Sequence, residues 1–366
     1  MDNKPKISLL YGGRSGEHEV SLRSAAAVYR HLDSVKYDPV LIGISKEGLW
    51  YRQDLPDGTP EALTIDEDPD RLISLIPGDG LYVGAKKLFI DLALPVLHGT
   101  FGEDGTLQGV FEILQIPYAG SGVLGSASGM DKVRTKQIWD YHGLSVVPYI
   151  VVRKNETAGK SAESDKKLDE AFRRFGPPLF VKPSGAGSSL GVIKIEHREE
   201  CAAALQEAFC YDRTVLIEKG VAGKEVECAV LGGPRVEVSI PGEIIPKHSF
   251  YDYKSKYVDP DGADLRIPAD LSDALTAEVR RIAAEAFSLV AEEGFARVDF
   301  FIEKGTDTIY LNEINTIPGF TSISMFPMLF LAAGKSFNEL VEDIIQAAFG
   351  RAEQLKEIRY TYNPHQ

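Results

Sequence analysis

Two strand-like runs toward the C-terminal end carry the residues best suited to chemistry. Residues 296–322 read ARVDFFIEKGTDTIYLNEINTIPGFTS, which predicts two β-strands joined by a short loop holding Gly305, Thr306 and Asp307. Val298, Phe300 and Ile302 alternate with Arg297, Asp299, Phe301 and Glu303, so one face is apolar and the other carries Arg297 and Asp299. With the turn centred on Thr306, Asp299 falls opposite Glu313 and Arg297 opposite Asn315, and Leu311, Glu313 and Asn315 share a face. Directly opposed like charges destabilise a strand pair, here by about 3 kcal/mol at a separation of about 5 Å and an effective dielectric of about 20. Arg297 alone sits to one side, so the pattern calls for a further cation. Two carboxylates and an amide carbonyl are hard oxygen ligands, which select Mg²⁺. A solvated acidic hairpin is the plainer alternative.

Other stretches supply charge at the ends of predicted elements. PLFVKPSGAGSSLGVIKI, residues 178–195, is a strand–loop–strand pattern with Lys182 ahead of a Gly/Ser loop, Ser184–Ser189. It lacks the GK[ST] close of a P-loop, yet its backbone N–H groups and hydroxyls could fold over phosphates, with Lys182 as a point charge. A flexible turn without a ligand is the alternative. A helix predicted over 131–142 carries Lys132 in its first turn, where the dipole disfavours a cation unless an anion faces it. TVLIEKGVAGKEVECAVLGG reads as two strands around 220–223; Glu218, Lys219 and Glu225 there suit a purine edge and a ribose, though by itself the pattern is an ordinary hairpin. Glu17 opens a predicted helix over 17–32, where an acid also simply suits the dipole. His98 sits at a strand exit, in a Gly-rich loop that feeds a helix over 105–115, at the end where open α/β sheets bind ligands; a satisfied structural histidine is the alternative.

The elements around these residues follow in order. Ile7–Tyr11, the glycines 12, 13 and 16, the helix and the strand YDPVLIGIS make a β-loop-α-β unit, which implies a parallel sheet. GSGVLGSASG, 120–129, reads as a domain boundary, and 154–167 as an exposed loop. Residues 249–269 form a long aperiodic stretch of the kind used as lids. An amphipathic helix over 274–293 packs on the sheet of the opening hairpin, and 337–349 is a closing helix. At 366 residues, with 44% hydrophobic and 26% charged side chains, the chain is an ordinary globular protein of two or three domains. A net charge of −14 argues against a general nucleic-acid or anionic-membrane binder. Cys201, Cys210 and Cys228 form no CxxC pair and read as reduced thiols. The first residues enter a strand directly, without room for a signal peptide, and no apolar run approaches the ~18 residues of a membrane span; a cytoplasmic protein is expected.

Taken together, HGTFGEDGTLQG at 98–109 and ARVDFF…YLNEINTIPGFTS resemble the two signature motifs of D-alanine–D-alanine ligases of the ATP-grasp superfamily. GGRSGEHEVS, MDKVRTK, VKPSGAGSSLGV, LIEKGVAGKEVE and SFYDYKSKY fall in that family's order, over about residues 6–348. The resemblance implies an α/β and α+β, three-domain ATP-grasp fold with an N-terminal parallel-sheet, Rossmann-like domain: 1–129, 130–231 and 232–366. It implies Lys132 and Lys182 at ATP phosphates under a lid with Ser188 and Ser189. Adenine falls to Glu218, Lys219 and Val221, ribose to Glu225, and the transferring phosphate to Lys256. Asp299, Glu313 and Asn315 hold two Mg²⁺ ions, with Mn²⁺ as the substitute. Glu17 and His98 surround the first D-alanine, Arg297 and the Gly319 N–H meet the oxyanion, and Ser324 and Met325 take the second carboxylate. Glu17, Ser188 and Tyr257 form the set that closes the site. The implied reaction joins two D-alanines, through a D-alanyl phosphate, for peptidoglycan precursors. Its partners are D-alanine and ATP, without nucleic acid or membrane, in a homodimer. D-lactate or D-serine as second substrate, or another carboxylate–amine ligase, are the alternatives; Tyr257 favours the dipeptide. Ala186 departs from relatives with a polar residue in the lid, which puts that one contact in doubt.

Overall fold

The computed structural model describes residues 4–156, 162–233, 235–247, 263–290 and 293–360. Three of the four sheets among the described residues organise it; the fourth is a small antiparallel one, Ile73–Ile76, Gly80–Val83, Lys86–Leu88. The first has the order Trp50–Gln53, Asp38–Ile44, Lys6–Gly12, Leu92–Pro95; the last three strands are parallel and the edge strand antiparallel. Asp38–Ile44 and Leu92–Pro95 are buried over most of their length, as a parallel sheet covered on both faces requires. Helix His18–His31 lies against it through Ala25, Ala26 and Val28.

The second sheet is antiparallel, in the order Ile193–Ile195, Leu179–Pro183, Thr214–Lys219, Tyr149–Arg153. The third runs Ala263–Arg266, Gly242–Pro246, Gly223–Leu231, Phe295–Glu303, Ile309–Asn315, with Glu237–Val238 beside Gly223–Leu231. Thr214–Lys219 and Gly223–Leu231 are therefore not the two arms of a hairpin. Residues 220–222 carry the chain from one sheet to the other, and strand Gly223–Leu231 joins the sheet of the C-terminal segment.

The third sheet has two covered faces. On one, Val298, Phe300 and Ile302 pack with Val226, Cys228 and Val230 against helix Asp273–Leu289, through Val279, Ala283, Ala286 and Phe287. On the other, Ala229 and Leu231 share a core with Phe320, Phe326, the N-terminal sheet and Leu340, Ile344 and Ile345 of the closing helix Phe337–Leu355. The closing helix thus fastens the C-terminal sheet to the N-terminal one.

Two expectations about local structure change. The small-residue run at 120–129 contains a helix, Val123–Met130, whose Gly125, Ser126 and Gly129 are buried. Small residues there permit close packing rather than a loose linker. Part of the polar stretch 154–167 is also regular, since helix Ala162–Phe175 begins within it. Phe300 is fully buried behind the paired strands, so Phe300→Ala lowers the unfolding free energy by about 3–5 kcal/mol in urea titration; a loss well below 1 kcal/mol contradicts this packing.

Candidate active site

The paired strands Phe295–Glu303 and Ile309–Asn315 do set Arg297 against Asn315 and Asp299 against Glu313. Nearer the turn the pairing is Phe300 with Leu311 and Phe301 with Tyr310, so a bulge lies between the two registers. The extra residue is Asn312, which the bulge places on the wall of the same cavity as its neighbour Glu313, while Leu311 sits in the core rather than sharing a face with Glu313. Each acid has its own cation. The Arg297 guanidinium donates two hydrogen bonds to Asp299, both 2.7 Å, and also lies 3.0 Å from Glu227. Lys132 Nζ is 3.1 Å from Glu313 Oε2. The charge opposition expected to need a metal is thus already offset by Arg297, close in rather than off to one side, and by Lys132.

A cavity of about 350 Å³ opens between the second and third sheets. Lys132, Lys182, Ser189, Glu218, Lys219, Val221, Glu225 and Glu313 all line it. Lys132 stands at the start of helix Lys132–Tyr141, capped by Asp131, and the Ser184 hydroxyl donates to the same Asp131 carboxylate at 2.7 Å. The Gly/Ser loop is therefore fastened to the helix end that carries Lys132, whose ammonium donates to the Ala186 carbonyl at 2.8 Å. Ser188 and Ser189 both have positive φ, +50° and +58°, a conformation few non-glycine residues adopt.

The Glu218 side chain does not face outward to a base. It bridges two lysines, with Lys182 Nζ at 2.7 Å and Lys136 Nζ at 3.0 Å. Burial favours the neutral acid, but the two ammonium groups outweigh it and hold the Glu218 carboxyl below its ordinary range. Burial pushes the Lys136 amine down; Lys182, also buried, is held up by Glu218. Lys182 also approaches Asn312 Oδ1 at 3.3 Å. Lys136 and Asn312 were not singled out in the sequence, although Lys136 lies one turn beyond Lys132 on the same helix.

A second cavity, about 110 Å³, adjoins the first at Glu313, which lines both. Glu17, His98, Ser188, Arg297, Asn315, Gly319, Ser324 and Met325 line it. The Ser188 hydroxyl donates to Glu17, joining the Gly/Ser loop to the N-terminal sheet. Both nitrogens of His98 are engaged. Nδ1 donates to the Ile317 carbonyl (2.8 Å), so in the neutral ring Nε2 accepts from the Ser24 hydroxyl (2.9 Å). Burial pushes the His98 imidazole down to about 4, which keeps it neutral. Ser24 Oγ in turn accepts from the Phe320 N–H at 3.1 Å. A Cβ on Gly319 would lie 2.6 Å from Ser324 Oγ, so a side chain there would have to displace that hydroxyl. Helix Met325–Ala332 starts at this wall, and its first N–H groups have no intrahelical acceptors. Glu103 and Glu227 also line this cavity and lay unmarked in the sequence. Asp299 lines neither cavity but reaches the site through Arg297 and through Asn315, whose Nδ2 donates to it at 3.0 Å. Lys256 and Tyr257 lie outside the described residues.

Two antiparallel sheets facing each other across a lysine-lined cavity, beside a parallel-sheet domain, make this an ATP-grasp protein. Residues 6–121 match the model for the D-ala D-ala ligase N-terminus and residues 138–346 that for the D-ala D-ala ligase C-terminus. The D-alanine–D-alanine ligase of Treponema denticola is 44% identical over 94% of this chain and 96% of its own. That of Caldicellulosiruptor bescii is 41% identical over 98% and 99%. The solved D-alanine–D-alanine ligase from Coxiella burnetii superposes with a TM-score of 0.81 at 33% identity, over 97% of this chain and 96% of that one. The VanG D-Ala:D-Ser ligase from Enterococcus faecalis gives 0.81 at 32%, over 94% and 100%. The chain belongs to the D-alanine–D-alanine ligase family, and it is a ligase.

The Lys136–Glu218–Lys182 bridge is checked by Glu218→Gln, which leaves a buried ammonium without its counter-charge. Urea unfolding then shows a loss of about 3–5 kcal/mol; an unchanged midpoint contradicts the bridge.

Proposed function

We propose that this chain joins two D-alanine molecules at the expense of ATP, with the nucleotide in the larger cavity and the amino acids in the smaller. The observation that carries this reading is Glu313, among the described residues the one acidic side chain on the walls of both cavities, with Lys132 and Lys182 on the nucleotide side and Arg297 and Gly319 on the other. The junction is where a phosphoryl group would pass between them.

On this reading the cross-over segment, with Lys219 and Val221, presents backbone groups to adenine and Glu225 meets the ribose. Glu218 acts there by holding Lys182 in place. Lys132 and Lys182 lie along the phosphates, under the loop of Ser188 and Ser189, with Lys256 assigned to the transferring group. The ligase family uses ATP and a divalent metal. The donors fit such an ion in kind, since Glu313 at the junction, Asn315 on the smaller cavity and Asp299 behind them offer hard oxygens; among the described residues no three His, Cys, Asp or Glu side chains converge as a metal site, and phosphate oxygens would complete the shell. A cation there, Mg²⁺ or Mn²⁺, one or two, supplies neutralising charge for the triphosphate.

The first D-alanine, beside Glu17 and His98, attacks the γ-phosphorus through its carboxylate; the bond to the β-phosphate bridging oxygen breaks, giving D-alanyl phosphate and ADP. The second D-alanine, its carboxylate toward Ser324 and the Met325 N–H, attacks the activated carbonyl through its neutral amine. Arg297 and the Gly319 N–H stabilise the tetrahedral oxyanion. Collapse releases phosphate, which takes up the proton lost from nitrogen, and leaves the dipeptide amide. Ser188 donating to Glu17, together with Tyr257, keeps the cavity shut so that water does not consume the acyl phosphate.

ADP release measured with D-alanine, D-serine or D-lactate as second substrate decides this reading. Turnover with D-alanine alone is expected; none with D-alanine contradicts it. Glu313→Ala removes turnover by a factor of about 10³ or more with an unchanged far-UV circular dichroism spectrum, and retention of normal activity overturns the role given to that residue.

A further inference from the structure

Glu103 is buried where two loops from different parts of the chain cross. One loop, 98–104, leaves the N-terminal parallel sheet; the other, 315–320, leaves the last strand of the C-terminal sheet. The Glu103 Oε2 atom accepts the Gly99 N–H at 2.6 Å and Oε1 accepts the Ile317 N–H at 2.7 Å. Its own carbonyl accepts from Thr316 Oγ1 at 3.2 Å. Ile317 is therefore held at both ends, its N–H by Glu103 and its carbonyl by His98. On one loop this pair fixes His98 and Gly99; on the other it fixes the residues between Asn315 and Gly319.

We propose that Glu103 is a positioning residue for the first-substrate pocket, its carboxyl tying the His98 loop to the Gly319 loop so that both walls are set by one side chain. The position is enclosed. A Cβ on Gly99 would lie 2.5 Å from Glu17 Oε2, and one on Gly102 2.5 Å from the Leu97 carbonyl, so the 98–104 loop is closely packed at both positions. Gln108, buried as well, donates to the Gly102 carbonyl at 2.8 Å and holds the loop from behind. The charged groups facing Glu103 are Glu17 and Arg297, and His98 beside it is neutral. Burial first, and then Glu17, push the Glu103 carboxyl up to about 8, against the pull of its two backbone donors and Arg297. An acid raised on folding loses its stabilising protonation as pH rises through that value. A second buried negative charge then appears opposite Glu17, and the two carboxylates repel across the pocket even though each N–H bond to Glu103 strengthens.

This inference rests on the ligase reading for its kinetic arm only. In the full-length protein, Glu103→Gln keeps one acceptor but turns a donor toward a backbone N–H. The expected result is an apparent KM for D-alanine raised about tenfold or more, with KM for ATP within about twofold of wild type. The fall of wild-type kcat/KM for D-alanine above about pH 8 is expected to disappear in the variant. Thermal unfolding gives an arm independent of activity, in which the wild type loses more Tm between pH 7 and pH 9 than the variant does. If Glu103→Gln does not fold, Glu103→Asp, too short to reach both loops, is measured in the same way. Unchanged D-alanine KM with an unchanged alkaline limb overturns the proposal, as does an equal rise in both KM values. Absence of D-alanine turnover in the wild type overturns the ligase reading alone, and the Tm difference still decides the tie.

Discussion

Asp299 and Glu313 face each other across two adjacent strands, and the architecture around them is arranged so that two negative charges can stand there. Arg297, two residues before Asp299 on its own strand, takes that carboxylate in a two-pronged grip. Lys132 reaches Glu313 from a helix that packs, through Trp139, into the core behind the same two strands. An opposition that would cost about 3 kcal/mol is thereby offset by one cation on each acid. On the proposed reading the same two cations would serve an incoming triphosphate and an oxyanion, which would exchange these interactions for their own.

Positive charge on the nucleotide side is built with similar care. Three lysines approach two carboxylates: Lys136 and Lys182 share Glu218, and Lys132 meets Glu313. Burying Lys136 alone would be costly, and Glu218 lets it remain as the anchor behind Lys182. The arrangement converts a deep interior ion pair into a fixed direction for one ammonium at the cavity wall. The smaller cavity is set by different means, through hydrogen bonds to backbone: His98, Ser24 and Glu103 seize the N–H and carbonyl groups of residues 317–320. These tie the C-terminal strands to the N-terminal sheet, alongside the apolar packing of the closing helix.

Much of this is legible in the residue order, for physical reasons that differ from place to place. Alternation of apolar and polar side chains at 297–303 is enough to give the buried face, and the opposition of Asp299 and Glu313 follows from it. That opposition is reached with a turn centred on Thr306, whereas the strands pair one residue differently near the turn and recover through the bulge. A bulge leaves no mark in periodicity, so Asn312 is hidden until the register is known. Sequence adjacency likewise suggests a hairpin at 214–231, and only the three-dimensional path shows each strand joining a separate sheet. Lys136 and Glu103 lie inside motifs that were read for their neighbours; their meaning depends on Glu218 and Ile317, distant in the chain. The small residues at 123–130 look like a linker because close helix packing and chain flexibility both use glycine and serine.

The central claim is that the two cavities are one reaction path joined at Glu313. A crystal structure with a non-hydrolysable ATP analogue, Mg²⁺ and D-alanine tests it most directly. The account predicts the terminal phosphate beside Lys132 and Lys182, metal density against Glu313, Asp299 and Asn315, and the amino acid's carboxylate in line with that phosphate. An analogue bound away from these lysines, or metal density with no contact to Glu313, contradicts it.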